Sequence, residues 1–521
     1  MYRKEAMVEK YTKNGGIIMK KKKRSFPTAF TVLFIVLIIA AILTHVVPAG
    51  SYSKLSYDSE NNIFTVIKPD ESTSELPVTQ DTLDKLKIKV NVEKFKDGSI
   101  NKPVAIPDTY ERVEQKPQGF YEVIQAPIKG VYDTIDIIMF VLILGGVIGI
   151  LNSSGAFDAG IAKLSIATKG KEYLLIVIIT LLIALGGTTF GLAEETIALY
   201  PILVPVFVAA GYDALVCIAA LYMGSSIGTM FSTVNPFSVV IASNTSGISF
   251  ASGFIFRIIG LIIAVAITVI YIVRYGLKVK KDPSKSIIYE QKSEIEEKFL
   301  KDYKTKDIPE FTLSRKLMLI IFILTFVVMI WGVSKKEWWF TEMTALFLVV
   351  GIILGILSRM GEKKFVDKFV AGSADLVGVA LVIGVARSIN LVMENGMISD
   401  TILYHSSNAV AGMNSSIFII FMLIVFIGLG FFIPSSSGLA VLSMPIMAPL
   451  ADSVGLPREA IVNAYMFGQG LIAFITPTGL ILATLAMVDI TYDKWLKFIM
   501  PLMGYIAGFS AIMLLIQSFV G

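Results

Sequence analysis

The sequence has little of what soluble and disulfide-bonded proteins depend on. Charged residues make up 17% of the 521 residues, hydrophobic residues make up 55%, and the mean hydropathy is +0.72. This balance excludes a soluble globular surface and indicates that most of the chain faces lipid. The single cysteine, Cys217, lies in an apolar run, which excludes a disulfide framework and a Cys/His metal cluster. We expect Cys217 to be a small buried hydrophobe.

The sequence also lacks common signatures of membrane enzymes and pumps. It contains no H-E-x-x-H motif and no G-x-x-x-x-G-K-[ST] loop, so zinc hydrolysis and ATP-driven pumping have no support. We expect no enzyme activity, no cofactor and no nucleic-acid partner. The other non-enzyme class is a channel, which transport against a gradient would exclude.

One pattern of proline and glycine occurs twice with the same spacing. Its members are Pro201, Pro205, Gly211 and Gly224 in the first copy, and Pro445, Pro449, Gly455 and Gly468 in the second. Each copy follows a polar break in an apolar segment and precedes another broken apolar segment, at 232–236 and at 475–479. Duplicated, interrupted hydrophobic segments are typical of secondary transporters whose binding site lies between two repeats.

Charge distribution predicts the orientation, because short cytoplasmic loops carry an excess of Lys and Arg. Residues 1–25 hold nine Lys or Arg, and residues 274–316 hold twelve, so both regions are predicted to be cytoplasmic. The polar stretch 51–125 is predicted to be a small external domain. The basic region 274–316 lies on the cytoplasmic side, and the two halves of the chain have opposite orientations, only under one condition. The segments 173–210 and 415–453 must be re-entrant hairpins rather than pairs of membrane spans.

The predicted fold is therefore an all-α polytopic membrane protein, an inverted repeat with two re-entrant hairpins and two broken helices, plus the external domain. Nine spans are predicted near 27–48, 131–151, 212–243, 252–274, 316–333, 341–358, 374–395, 457–487 and 493–518. The predicted regions are the basic N-terminus 1–25, the first helix 26–48, the external domain 51–125, the first repeat 126–275, the cytoplasmic loop 276–315, the scaffold helices 316–373 and the second repeat 374–521.

Three motifs resemble one family. LAEETIALYP at 192–201, STVNPF at 232–237 and PSSSGLA at 434–440 are similar to the YfcC-like branch of the anaerobic C4-dicarboxylate carrier family, within the ion transporter superfamily. The resemblance covers residues 20–520 apart from the external domain. It implies paired hairpins and an elevator mechanism, and members of the superfamily are often dimers. Members of this branch are commonly labelled basic amino acid or arginine/ornithine antiporters, whereas the family name implies dicarboxylates.

The two hairpin tips differ in charge. Glu194 and Glu195, followed by Thr196, occupy the first tip, where a carboxylate in low dielectric is costly unless it is paired or protonated. They predict a cationic ligand, a coupling ion, or both; the alternative is that they only stabilise the start of a helix. The second tip holds Ser435, Ser436 and Ser437, whose hydroxyls and helix-end amides suit a carboxylate.

The broken helices supply further candidate ligands. Asn235, Thr476 and Thr478 are predicted to bind substrate, because they resemble the polar loops of the superfamily. A sodium site is expected from Ser232, Asn235, Asn244 and Thr476, with proton coupling as the alternative. The same side chains could simply cap the interrupted helices, since Asn, Ser and Thr do this well.

Arg387 lies within a predicted span, so it needs a partner. The candidates are Glu394, an acid of the first tip, or a substrate carboxylate, and a purely structural ion pair is the alternative. Arg257, near the end of its span, is expected to reach the membrane interface.

These features predict a secondary active transporter that exchanges cationic amino acids of the arginine and ornithine type. Ion-coupled transport of C4-dicarboxylates or another small organic anion is the alternative. The expected location is the bacterial cytoplasmic membrane, with a cytoplasmic N-terminus and an external C-terminus. The expected partners are a small-molecule substrate, membrane lipid and a second copy of the chain in a homodimer.

Overall fold

The computed structural model describes residues 12–13, 16–17, 27–98, 100, 102–167, 170–305, 309–336, 338–409 and 413–520. Most of the predicted basic N-terminus 1–25 lies outside these residues. The α-helices are α1 (Ala29–Val46), α2 (Gln80–Lys85), α3 (Glu93–Lys96), α4 (Phe120–Asp133), α5 (Ile135–Ser154), α6 (Ala156–Ala167), α7 (Tyr173–Thr189), α8 (Tyr200–Ala209), α9 (Ala214–Ile218), α10 (Gly224–Met230), α11 (Ile241–Thr245), α12 (Phe254–Lys281), α13 (Lys292–Thr305), α14 (Leu313–Lys336), α15 (Phe340–Leu357), α16 (Glu362–Asp375), α17 (Val377–Asn395), α18 (Ser399–Ala409), α19 (Ser415–Phe432), α20 (Ser436–Ser453), α21 (Arg458–Ala473), α22 (Ile481–Met487) and α23 (Tyr492–Val520). The strands are β1 (Thr12–Lys13), β2 (Gly16–Ile17), β3 (Gly50–Ser51), β4 (Lys54–Asp58), β5 (Ile63–Ile67), β6 (Thr73–Pro77), β7 (Val104–Ala105) and β8 (Glu111–Arg112).

Seven helices of the described part are long and apolar enough to cross a membrane: α1, α5, α12, α15, α17, α19 and α23. Six of them coincide with predicted spans. The seventh, α19, is the first arm of the predicted second hairpin, so by length and composition it could also cross. The length and the apolar composition of these helices, together with their many exposed apolar side chains, identify the chain as an integral membrane protein.

Residues 50–112 form a small β-rich unit, here called the sheet segment. Four antiparallel strands lie in the order β6-β5-β4-β7, and β3 pairs with β8. The unit has its own apolar core, with Leu55, Phe64 and Phe95 almost fully buried. The helical part resumes at α4, slightly before the predicted boundary at residue 126.

The sheet segment is fixed to helix α18 by polar and aromatic contacts. The Ser51 hydroxyl and the Tyr52 backbone N–H both donate to Asp400 Oδ2, each at 3.1 Å. The ring of Tyr110 stacks on that of Tyr404, with 4.1 Å between centroids. These contacts hold the segment in one place over α18.

Two helix-turn-helix units lie where the re-entrant hairpins are predicted. In the first, α7 and α8 are joined by a turn and by the 3-10 helix Glu194–Leu199. Gly191 lies in this turn with φ +80°, a conformation that favours glycine. In the second, Pro434 separates α19 from α20, and Ser435 caps α20 by accepting a hydrogen bond from the Gly438 N–H at 3.2 Å.

The two helices predicted to be broken are broken. Helix α10 ends at Met230, and the chain is helical again only from the π-helical turn Pro236–Val240. Helix α21 ends at Ala473, and α22 begins at Ile481. Backbone groups at such ends need partners. The Tyr222 hydroxyl supplies one by donating to the Ala473 carbonyl at 2.7 Å, which ties the turn before α10 to the second break.

The expectation for Arg257 was wrong. The side chain does not reach outward; it is fully buried at the start of α12. Its guanidinium donates to the carbonyls of Ser252 and Phe250 in the preceding loop. A buried guanidinium is tolerated here because these two backbone carbonyls accept hydrogen bonds from it.

Candidate functional site

A cavity of about 480 Å³ lies between the two hairpin tips and the two helix breaks. All the residues predicted to bind substrate line it: Glu194, Glu195, Thr196, Asn235, Arg387, Ser435, Ser436, Ser437, Thr476 and Thr478. They come from five separate segments of the chain. The volume lies within the range of cavities that bind small molecules.

The first tip brings two carboxylates to the cavity wall. Both Glu194 and Glu195 are half-buried, and Glu195 Oε2 accepts a hydrogen bond from the Ala193 N–H at 3.1 Å. Thr196 donates to the Ala193 carbonyl at 2.6 Å, which holds the turn closed. Within the described residues neither carboxylate has a Lys or Arg partner. Two desolvated carboxylates without a cation are costly, so they need protons or a cationic ligand.

The second tip presents hydroxyls and the start of helix α20. The Ser436 hydroxyl lies 2.9 Å from that of Tyr465, and Gln469 Nε2 donates to the Pro434 carbonyl at 3.1 Å. The Ser437 hydroxyl accepts a hydrogen bond from Lys102 of the sheet segment at 2.7 Å. The free N–H groups of a helix start carry partial positive charge and favour an anion. The cavity therefore has one acidic wall and one wall suited to a carboxylate.

The helix breaks contribute neutral polar groups. Asn235 accepts from the Phe237 N–H at 2.8 Å and donates to the Gly187 carbonyl at 3.0 Å, so it caps a helix and lines the cavity at once. The hydroxyls of Thr476 and Thr478 lie 2.8 Å apart. Capping and a place in the cavity wall thus coexist in this region.

The four residues predicted for sodium are divided between two places. Asn235 and Thr476 line the cavity, whereas Ser232 and Asn244 do not. Ser232 Oγ and Asn244 Nδ2 are buried without a hydrogen-bond partner. In the described part of the chain, no group of three or more His, Cys, Asp or Glu side chains is placed to hold a metal ion.

Arg387 is held by two acidic residues. Its guanidinium bonds Glu394 at 3.0 and 3.3 Å and also contacts Asp133, at the end of α4. Glu394 was among the predicted partners; Asp133 was not, because it lies 254 positions away in the sequence. Neither acid of the first tip pairs with Arg387. This geometry favours the structural ion pair, although Arg387 also lines the cavity.

Sequence reasoning missed several polar residues of the cavity wall. Tyr222 lies in a π-helical turn, and Gln469 lies between two glycines in an apolar helix. A polar residue inside an apolar segment indicates a functional site and is visible in the sequence, whereas the π turn is visible only in the structure. Asn390 also lines the wall, and its Oδ1 is buried without a hydrogen-bond partner. No feature of the sequence indicated Lys102, because it lies in the sheet segment, where lysines are common and no functional motif was found.

Ser225 and Ser226 line the cavity within a G-x-S-x-G match at 224–228. In hydrolases this motif forms a sharp turn between a strand and a helix. Here it lies inside helix α10, and neither His45 nor His405 lines the cavity. The arrangement therefore lacks the geometry of a nucleophile elbow.

Comparisons with known proteins identify the family and two relatives. The model of the family described as DcuC, C4-dicarboxylate anaerobic carrier, matches residues 26–519. The chain is 48% identical over 498 residues to an "Uncharacterized protein" of Haemophilus influenzae, covering 96% of this chain and 98% of that protein. It is 34% identical over 401 residues to the "Putative basic amino acid antiporter YfcC" of Escherichia coli, covering 74% and 78%.

Two solved transporter structures are more distant. MtrF of Neisseria gonorrhoeae, described as illuminating a class of antimetabolite efflux pumps, is 16% identical with a TM-score of 0.39, and the match covers 95% of this chain and 96% of that chain. The YdaH transporter of Alcanivorax borkumensis is 12% identical with a TM-score of 0.36, covering 94% and 98%. Structural similarity at these TM-scores supports no inference about the site.

Proposed function

The chain belongs to the C4-dicarboxylate anaerobic carrier family, and from this premise we propose that it is a secondary active transporter that exchanges cationic amino acids such as arginine and ornithine. The family consists of carriers rather than enzymes. The observation that carries the choice of substrate is the pair Glu194 and Glu195, which face the cavity without a cationic partner in the described residues. A cationic substrate would supply the missing charge.

The rest of the cavity suits the other end of an amino acid. The hydroxyls of Ser435–Ser437 and the start of helix α20 offer hydrogen-bond donors for a carboxylate. The Escherichia coli relative, named as a putative basic amino acid antiporter, supports the same substrate class. An amino acid with a cationic side chain would therefore lie between the two tips, with opposite ends on opposite walls.

A C4-dicarboxylate is the second candidate. The family description favours it, and so does Lys102, a cation at the second tip. Its difficulty is the acidic wall, since a dianion beside Glu194 and Glu195 would be repelled unless these acids were protonated or paired with sodium. Asn235 and Thr476 are the cavity residues that we propose for such a coupling ion.

We further propose an inverted repeat that works as an elevator. Gly224 and Gly468 are equivalent in the sequence pattern, and each lets its helix approach the first helix of the adjacent hairpin: an added Cβ would meet the Thr180 carbonyl at 3.0 Å and Phe426 Cβ at 2.5 Å, respectively. Equivalent contacts in both halves are what a repeat requires. We propose a bacterial cytoplasmic membrane location, an external sheet segment and a homodimer as the setting.

The decisive experiment is uptake of labelled arginine and labelled succinate into proteoliposomes. We expect arginine uptake to rise when ornithine is inside, and accumulation above the external concentration would exclude a channel. Saturable succinate uptake that ignores arginine would contradict the proposal. A sodium gradient in place of ornithine separates ion coupling from exchange.

A further inference from the structure

Lys102 reaches the cavity from outside the helical part of the chain. Its ammonium donates to the Ser437 hydroxyl at 2.7 Å, and Lys102 lines the same cavity as the two acids. The chain around it is anchored on both sides, because Ile100 and Val104 are buried in the core of the sheet segment. Pro103 also restricts the backbone of the preceding residue to extended conformations. Lys102 thus lies between two anchored residues and faces the second tip.

The surroundings of the ammonium are positive. It lies at the start of the 18-residue helix α20, where the backbone N–H groups carry partial positive charge. Burial and the nearby Arg387 guanidinium lower the pKa of Lys102 from its ordinary value. Arg387 is already neutralised by Glu394 and Asp133, whereas Lys102 has no acidic partner in the described part of the chain. A cation in this place is stabilised once an anion joins it.

We propose that Lys102 is a substrate-binding residue that pairs with the carboxylate of the substrate at the second tip. The inference rests on the proposed function for the identity of the substrate, an amino acid with a cationic side chain. Lys102, Ser437 and the start of α20 form the carboxylate subsite, and Glu194 and Glu195 form the cation subsite. The sheet segment then determines specificity directly, because it delivers one of the groups that recognise the substrate.

The test compares arginine with agmatine, which has the same guanidinium but no carboxylate. Binding of both to the purified full-length protein in detergent is measured by titration calorimetry for the wild type, Lys102→Gln and Lys102→Arg. The matched control is Lys85→Gln, an exposed lysine of the sheet segment that pairs with Asp81 outside the cavity. We expect Lys102→Gln to weaken arginine binding about 10- to 100-fold, the loss of one charge-assisted hydrogen bond.

Agmatine binding to Lys102→Gln should be unchanged or tighter, because no carboxylate is lost and one repelling cation is removed. Lys102→Arg should retain most of the arginine affinity, and Lys85→Gln should match the wild type. The proposal would be overturned if Lys102→Gln bound arginine and agmatine equally more weakly, or bound both as the wild type does. Tighter binding of both ligands would also overturn it, because Lys102 would then obstruct the cavity rather than bind the substrate.

Failure of the proposed function is visible separately, in the wild type. If the wild-type protein binds succinate and not arginine, the proposal that it transports cationic amino acids is wrong. The carboxylate subsite is then tested by succinate itself: a 10- to 100-fold loss in Lys102→Gln supports it, and unchanged succinate binding overturns it.

Discussion

At the scale of single residues, the two walls of the cavity carry unpaired charges of opposite sign. Glu194 and Glu195 lack a cationic partner among the described residues, while Lys102 lacks an acidic one. Arg387, by contrast, is satisfied by Glu394 and Asp133. Unpaired charges in a partly buried cavity are expensive, so they point to a ligand more strongly than a paired charge does.

Neutralising one acid of the first tip should weaken cationic substrates. We expect Glu194→Gln or Glu195→Gln to cost about 1.5 to 3 kcal/mol of arginine binding, roughly one to two decades in affinity, because a charge-assisted hydrogen bond is lost. The measurement is the concentration dependence of arginine exchange in proteoliposomes, with Glu362→Gln, an exposed acid of α16, as the matched control.

The same variants distinguish the other roles of these acids. If the acids carry a coupling ion, exchange survives while gradient-driven uptake is lost. If they only stabilise the helix start, the cost is about 1 kcal/mol or less and both activities persist. Arginine transport close to wild type in both variants would contradict the cation subsite.

At the scale of elements, the site depends on helices that approach closely and then break. The sequence predicted both breaks and the positions of both helix-turn-helix units, because glycine, proline and polar residues interrupt apolar segments at 186–195, 232–236, 432–438 and 475–479. It did not predict the Asp133 contact or the placement of Lys102. Both depend on packing between distant parts of the chain, which local pattern does not encode.

Gly468 should be intolerant of even one methyl group. An added Cβ would lie 2.5 Å from Phe426 Cβ and 2.9 Å from backbone atoms of α19, whereas Gly428 in α19 has open space around it. Gly468→Ala should therefore destabilise by about 1 to 3 kcal/mol through overpacking, although alanine favours helices. Gly428→Ala should be neutral or slightly stabilising. Thermal unfolding in detergent, followed by size-exclusion chromatography, compares them; equal midpoints would contradict the close α19–α21 contact.

At the scale of the whole molecule, orientation in the membrane follows from charge. The basic region around Lys280 is predicted to be cytoplasmic, and α18, beneath the sheet segment, is predicted to be external. Cys217 is buried, so the native chain gives little background in thiol labelling. The amino-acid composition predicted a membrane protein. The sequence did not predict a function for the sheet segment, because that function is inferred from the contact between Lys102 and Ser437.

A membrane-impermeant thiol reagent tests this orientation. Cysteine at Ser284, an exposed site after α12, should react only from the cytoplasmic side, and cysteine at Asn408, an exposed site in α18, only from outside. Labelling of intact cells and of inverted vesicles measures both. Reaction of either site from the opposite side would contradict the hairpin assignment and the inverted repeat with it.

The central claim is that the cavity selects a positive side chain, and competition between arginine and citrulline tests it most directly. Citrulline has nearly the shape of arginine but a neutral ureido group, so it should lose the charge-assisted contact with Glu194 and Glu195. Inhibition of labelled ornithine uptake into proteoliposomes gives both inhibition constants in one assay. We expect citrulline to be about 10- to 100-fold weaker than arginine. Equal inhibition by the two, or inhibition by succinate without inhibition by arginine, would contradict the account.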